Sequence, residues 1–191
     1  KGASIDAIGM QYHMFYRMEE EEKKTAAFYD PHNLYAVMDQ YADFGKPMQI
    51  TEVTIPAYSA LAEDEAVQAE IIKYLYSIWF SHANMEAIIY WNLADGYAAF
   101  APQGDMTYGE NYYYGSLLRF DMSPKPAFNE LKKLIHETWN TKLSLDSGEG
   151  DSLSMKGFFG DYEVRLTAGE KTVTTKIHLE KGAENDFVVR I

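Results

Sequence analysis

The spacing of three short apolar segments limits the folds that this chain can adopt. The segments begin near residues 5, 48 and 86, and each is followed by a loop and then by residues with helical periodicity. Strands and helices that alternate at intervals of about 40 residues predict βα units with parallel strands. Three strands cannot close a barrel, and an open parallel sheet of this size leaves two edges unpaired. We therefore expect an α/β fold in which these units belong to a larger domain.

The second segment, residues 47–55, carries one carboxylate, Glu52, in a run of apolar and hydroxyl residues. Burying an unpaired acid is costly, so Glu52 is an unusual residue for a buried strand. Two interpretations stay open from this segment alone. Glu52 is either a salt-bridged or strand-end acid, or a reactive carboxylate at the C-terminal end of a barrel strand, where catalytic groups lie.

The other two strands also have polar or aromatic side chains at their C-terminal ends. With a strand period of two, the sets that share a face are Gly9, Gln11 and His13; Ile50, Glu52 and Thr54; and Ala87, Ile89 and Trp91. The C-terminal ends of parallel barrel strands converge on one mouth, so we expect these sets to end close together. An indole stacks under a pyranose, an amide and an imidazole bind hydroxyls, and a carboxylate attacks an anomeric carbon. The pattern is that of a sugar site.

Composition excludes several other classes of function. The formal net charge is -12, which disfavours nucleic acid and anionic membrane as partners. The chain has no cysteine, so disulfides, thiolate metal sites and thiol nucleophiles are excluded. No histidine has metal-ligand spacing with another histidine or acid, and we expect neither a metal nor a cofactor. No signal peptide is recognisable, and we interpret the start at Lys1 as a cut.

The sequence pattern changes near residue 141, where the alternation of strand and helix signals gives way to short segments of alternating residues. Alternating segments at residues 154–159, 162–167, 172–179 and 187–191 predict a small antiparallel, sandwich-like β unit, with a hairpin turn at residues 168–171. A β unit of this size is marginal alone, so we expect it to pack on the βα part. The predicted domains are therefore residues 1–140 and 141–191.

Five motifs in the βα part resemble a known family. They are IGMQYH at residues 8–13, ITEVTI at 50–55, YWNLAD at 90–95, LLRFD at 117–121 and PKPAF at 124–128. In order and spacing they resemble the sixth, seventh and eighth strands, the closing loop and the last helix of glycoside hydrolase family 10. These are the β-1,4-xylanases. The resemblance implies a (β/α)8 TIM barrel, of which this chain carries the last three βα units.

The resemblance also implies roles for matching residues. Glu52 falls on the catalytic nucleophile, and His13 falls on the histidine that hydrogen-bonds the nucleophile and keeps it ionised. Gln11 and Trp91 fall on residues that contact the sugar at the cleavage subsite. Thr54 departs from the family, which usually has aspartate there to support the histidine.

Two further departures concern groups that the family uses. Residues 98–100 replace a second tryptophan that the family usually carries in the loop after its eighth strand. The general acid/base glutamate, which the family supplies from its fourth strand, has no counterpart in this sequence. Retaining hydrolysis needs two carboxylates about 5–5.5 Å apart. We therefore expect the chain alone to be inactive or nearly so.

The sequence thus predicts a fragment of a retaining endo-1,4-β-xylanase whose partner is xylan or a xylo-oligosaccharide. A non-catalytic carbohydrate-binding remnant and a related barrel β-glucanase stay open as alternatives. Either the N-terminal part of the barrel from the same parent chain, or self-association, would complete the fold. The expected location is outside the bacterial cytoplasm, as a secreted, periplasmic or cell-surface protein.

Overall fold

Three parallel strands in the order β1, β2, β3 form the sheet of the N-terminal part of the chain. They are β1 Ile8–His13, β2 Met48–Thr54 and β3 Met85–Tyr90, which lie in the three predicted segments. The structure is a computed structural model that describes residues 2–148 and 150–191. The chain divides into two compact units, Lys1–Leu134 and Ile135–Ile191.

Within the described residues, four α-helices accompany the strands. They are α1 Met18–Thr25, α2 Pro31–Ala42, α3 Ala62–Ser81 and α4 Pro126–Lys133. Shorter 3-10 turns cover Ala26–Phe28 and Gly109–Tyr113, and a π-helical turn covers Leu134–Thr138. Asp30 followed by Pro31 predicts a helix start, with Asp as the cap and Pro at the first helical position. The structure confirms this start for α2, because Asp30 accepts a 2.9 Å hydrogen bond from the backbone N–H of His32. Among the described residues, no helix is both long and apolar enough to span a membrane.

The buried face of α3 differs from the one that helical periodicity predicts for residues 63–82, which consists of Val67, Ile71, Leu75, Ile78 and Trp79. Leu75 and Trp79 lie in the core as expected, but Val67 is 59% exposed. Glu65 and Gln68 are buried in its place. The face is rotated because two polar side chains with tertiary hydrogen-bond partners occupy core positions, which a hydrophobic pattern does not reveal.

A bulge in β2 changes which side chains share a face with Glu52. Met10 pairs with Ile50 but Gln11 pairs with Glu52, so Thr51 is an extra residue on β2. Ile50 is 2% exposed and lies in the core, so the prediction that it shares the face of Glu52 was wrong. The extra residue shifts the alternation by one, and Thr51 and Glu52 are both partly exposed.

Gly9 on β1, which pairs with Gln49 just before the bulge, is a glycine for a steric reason. A Cβ atom at Gly9 would lie 2.7 Å from the Thr51 Cγ2 atom, closer than real Cβ contacts. The two strands can therefore approach at the bulge because Gly9 has no side chain.

The second unit contains one antiparallel hairpin, formed by β4 Gly160–Ala168 and β5 Lys171–Leu179. Its turn falls at the predicted position, with Gly169 at φ +59. The segments 154–159 and 187–191, predicted to complete a sandwich-like unit, are not strands. Phe159 and Val188 in these segments are 64% and 86% exposed. Alternating sequence is not sufficient here, because a strand also needs a neighbour for its backbone hydrogen bonds.

Candidate active site

The C-terminal ends of the three parallel strands bring the predicted site residues together. Strand register pairs Gln11 with Glu52 and His13 with Thr54. Trp91 directly follows β3, and its backbone N–H donates to the carbonyl oxygen of Val53 at 2.8 Å. The four residues predicted as a site are therefore neighbours at one end of the sheet.

The Glu52 carboxylate is held by one partner on each oxygen. The Gln11 Nε2 atom donates to Glu52 Oε1 at 3.1 Å, and His13 Nε2 lies 2.9 Å from Glu52 Oε2. The side chains of His13 and Glu52 are 17% and 31% exposed. A carboxylate fixed in orientation and still open to solvent on one side can reach a ligand, as a nucleophile must.

The Thr54 hydroxyl joins His13 to the third strand. Its Oγ1 atom lies 3.0 Å from His13 Nδ1 and donates to the backbone carbonyl oxygen of Trp91 at 2.5 Å. Thr54 is 3% exposed, so these two bonds satisfy a hydroxyl that water does not reach. The side chain therefore connects β1, β2 and the end of β3 at the site.

Aromatic rings surround the imidazole. The Phe15 ring stacks on His13 with centroids 4.6 Å apart and planes 11° apart, and the Trp91 ring presents an edge at 6.4 Å. Tyr113 lies 5.0 Å from Phe15. The sequence analysis did not identify Phe15, whose position two residues beyond β1 was its one available signal. Rings around a polar centre provide apolar faces on which a sugar can stack.

Glu110 is a second carboxylate connected to this site. The Trp91 indole N–H donates to Glu110 Oε2 at 2.8 Å. Glu110 lies in the turn Gly109–Tyr113, outside the motifs named in the sequence analysis. Nearby Asp105 accepts hydrogen bonds from Thr107. The described residues contain no group of three or more His, Cys, Asp or Glu able to hold a metal ion. Glu110 therefore orients the indole in this structure.

A buried ion pair fixes the loop that follows β3. Lys125 is fully buried, its Nζ atom lies 2.6 Å from Asp95 Oδ2, and it donates to the Tyr114 carbonyl oxygen at 2.7 Å. The backbone N–H of Ser116 donates to the other Asp95 oxygen at 3.0 Å. Burial lowers the pKa of Lys125, and the Asp95 charge opposes that change. The pair holds both ends of the loop that carries Glu110.

A second ion pair ties the same loop to α3. Arg119 donates to both carboxylate oxygens of Glu65, at 2.9 Å from Nε and 2.5 Å from Nη2. The Glu65 side chain is 2% exposed, which explains why an acid occupies a core position of the helix. Thr54, Trp91, Asp95 and Glu110 together line a small cleft beside the site.

The sequence profile of glycosyl hydrolase family 10 matches residues 1–134. The chain belongs to glycosyl hydrolase family 10. Endo-1,4-beta-xylanase B from Thermotoga neapolitana is 28% identical over 143 residues, which are 72% of this chain and 36% of that protein. The family 10 chain described here therefore spans little more than a third of that relative.

Solved structures similar to this family 10 chain have low sequence identity and indicate fold only. The match to Faecalibacterium prausnitzii beta-glucuronidase covers 70% of this chain and 22% of that protein's chain, with a TM-score of 0.52 and 19% identity. The match to xylanase 10B from Thermotoga maritima covers 72% of this chain and 38% of that protein's chain, with a TM-score of 0.49 and 22% identity. The family match and the parallel βα units identify residues 1–134 as part of a barrel.

Proposed function

We propose that this chain is the C-terminal part of a retaining endo-1,4-β-xylanase, with Glu52 as its nucleophile. The observation that carries the proposal is the Glu52 carboxylate, held by Gln11 and His13 at the C-terminal ends of parallel strands in a family 10 chain. The xylanase name of the Thermotoga neapolitana relative supports xylan as the substrate class. The bond cleaved is an internal β-1,4-xylosidic bond.

In this proposal Glu52 attacks the anomeric carbon and forms a covalent glycosyl-enzyme, which water then hydrolyses. Gln11 and His13 hold the carboxylate in the attacking orientation, which limits the rearrangement needed on reaction. Trp91 lines the subsite of the sugar that reacts, with its indole N–H held by Glu110. The substrate is a neutral polymer, which is compatible with the net charge of -12.

The three strands correspond in this proposal to strands six, seven and eight of a (β/α)8 barrel, within a domain of residues 1–140. The general acid/base glutamate comes from a part of the barrel that these 191 residues do not supply. Upstream sequence of a parent chain completes the barrel, with self-association as the alternative. General acid–base help contributes about 10²–10⁴-fold, so this chain alone hydrolyses xylan poorly or not at all.

Residues 141–191 are proposed as a small β appendage that stabilises the barrel part. Deleting them is expected to lower the thermal stability and to leave xylan binding unchanged. Because xylan is an extracellular polymer, we also propose that the protein acts outside the bacterial cytoplasm.

The test is covalent labelling by a 2-deoxy-2-fluoro-xylobioside with a dinitrophenolate leaving group. Such a leaving group departs without protonation, so labelling does not require the missing acid. We expect a mass increase of one fluoro-xylobiosyl group on Glu52, lost in Glu52→Gln. Glu86→Gln is the matched control, because Glu86 is an exposed acid on β3. Xylobiose binding without labelling would contradict the nucleophile role.

A carbohydrate-binding remnant is the second candidate, and the observation that favours it is Thr54. Its hydroxyl contacts His13 but supplies no negative charge, where the family usually has aspartate. Reversion by Thr54→Asp separates the two functions, since labelling that appears only in the variant would identify a lost activity. Comparing binding of xylan, cellulose and mixed-linkage glucan tests the related β-glucanase alternative.

A further inference from the structure

A row of aromatic rings leads from the candidate active site to an exposed arginine. Phe15, which stacks on His13, lies 5.0 Å from the ring of Tyr113. Tyr113 in turn meets the ring of Tyr112 edge-on at 5.2 Å. The guanidinium of Arg17 lies 5.2 Å from the centre of the Tyr112 ring, a cation–π contact. The segment after β1 and the loop after β3 therefore meet in this row, at the C-terminal ends of the strands.

The backbone of Tyr58, which follows β2, holds the tyrosines of the row at a conformational cost. Its φ angle is +66, a left-handed conformation that bulky residues rarely adopt. Its ring meets those of Tyr112 and Tyr113 at 6.4 and 6.2 Å. Its hydroxyl donates to the carbonyl oxygen of Tyr16 at 2.8 Å. Strained residues persist where the surrounding contacts fix them, and they concentrate at sites that bind ligands.

Local structure does not explain the positive charge of Arg17. Arg17 is the N-cap residue of α1, where the helix dipole disfavours a cation, and its side chain makes no capping hydrogen bond. Glu19 and Glu20 follow two and three positions later, yet within the part of the chain that the structure describes Arg17 forms no ion pair. Its exposed guanidinium therefore keeps its N–H donors for a ligand.

The acid on the other side of the row is already engaged. Burial raises the pKa of the Tyr113 hydroxyl, the charge of Arg17 opposes this change and the charge of Glu110 adds to it. Both charges therefore lie near the Tyr113 ring. The Glu110 carboxylate, however, accepts the indole N–H of Trp91 at 2.8 Å. Arg17 is thus a cation without a carboxylate partner, held on an aromatic face beside a sugar site.

We propose that Arg17 is a specificity-determining residue that binds the carboxylate of a uronic-acid branch on xylan, with Tyr112 holding the guanidinium in place. A guanidinium presents paired N–H donors that match the two oxygens of a carboxylate. The xylose main chain of xylan is neutral, so an anionic group on this substrate belongs to a branch. This inference rests on the proposed xylanase function and narrows its substrate class to xylan with acidic branches.

The size of the effect follows from the charge of the molecule and the exposure of Arg17. The net charge of -12 repels an acidic ligand at a distance, so the attraction depends on direct contact with the guanidinium. An exposed ion pair improves affinity by up to about fivefold. Salt screens exposed charges, so the preference for an acidic branch should decline as the salt concentration rises.

The test is isothermal titration calorimetry of the 191-residue chain with xylotriose that carries a glucuronic acid branch. The matched ligand is the same branched sugar with its carboxyl group reduced to an alcohol, which keeps the size of the branch and removes its charge. We expect the acidic ligand to bind about fivefold more tightly than the reduced ligand.

Arg17→Gln should make the affinities for the two ligands equal. Arg17→Lys should retain part of the preference, because the charge remains but the paired donors are lost. Lys46→Gln is the control, since it changes the net charge by the same amount and Lys46 lies before β2, at the opposite end of the sheet. This variant should keep the preference of the wild-type chain.

Equal affinity of the wild-type chain for the two ligands would overturn the proposal, and this result needs no variant to fold. A preference that persists in Arg17→Gln would also overturn it, as would free glucuronic acid that competes as strongly as the branched ligand. An Arg17-dependent preference without fluoro-sugar labelling of Glu52 would support the branch site and reject the nucleophile role alone. Labelling of Glu52 with equal affinities would reject only the role of Arg17.

Discussion

Replacing Lys125 by methionine should destabilise the chain far more than removing an exposed lysine. Lys125 is fully buried, and its partner Asp95 is 5% exposed. Removing one member of a buried pair leaves an uncompensated charge and costs about 3–5 kcal/mol. Total stabilities are about 5–15 kcal/mol, so the variant loses a large part of the folding free energy. The Tyr114 carbonyl oxygen also loses its lysine donor.

Urea unfolding followed by the fluorescence of Trp79, which is 1% exposed, measures this loss. With a urea dependence of about 2 kcal/mol per molar, the midpoint should fall by about 2 M. Lys73→Met is the control, because Lys73 pairs with Glu70 at 3.6 Å on the exposed side of α3. Such a surface pair contributes about 0–1 kcal/mol.

The double variant Lys125→Met with Asp95→Asn distinguishes the cost of an unpaired buried carboxylate from the cost of lost packing. Without the carboxylate, Lys125→Met no longer leaves a buried charge, so the double variant should be more stable than Lys125→Met alone. If Lys125→Met and Lys73→Met shift the midpoint equally, the argument that this pair holds the loop after β3 is refuted.

Three further predictions concern the site and its loop. Gly115→Ala places a Cβ atom 2.5 Å from Thr54 Cγ2, so we expect a loss of about 1–3 kcal/mol in urea unfolding and altered NMR signals of the His13 ring. Glu110→Ala removes the acceptor of the Trp91 N–H and should weaken xylobiose binding in a fluorescence titration about tenfold, whereas Glu110→Gln keeps an acceptor and should bind nearly as the wild type. The Ser123 hydroxyl and amide lower the pKa of Asp121, so the stability from this carboxylate is present above about pH 4 and is lost as the pH falls through its folded-state pKa. In Asp121→Asn, the decline of the melting temperature on acidification should be shallower, and an unchanged acid profile would contradict this linkage.

The βα units could be predicted because their signals are local. Apolar periodicity, the Asp30 cap and the proline after it need no knowledge of distant residues. The buried face of α3 could not be derived in the same way. Glu65 occupies a core position only because Arg119, far away in sequence, neutralises it.

The predicted grouping of Gln11, His13 and Glu52 followed from topology, since the C-terminal ends of parallel strands meet at one edge. The reason that Glu52 faces this edge was not visible in the sequence. The extra residue at Thr51 turns Glu52 away from the face of Ile50, and a strict period of two would have buried it.

The sequence by itself determined the family, the alternation of strands and helices, and the residue types at the site. Tertiary structure alone decided which strand segments pair, where β2 bulges, and which acceptor takes the hydrogen of the Thr54 hydroxyl. The physical reason is the range of the interactions. Hydrophobic periodicity acts within one element, whereas a hydrogen bond or buried ion pair exists only when folding brings two distant groups within about 3 Å.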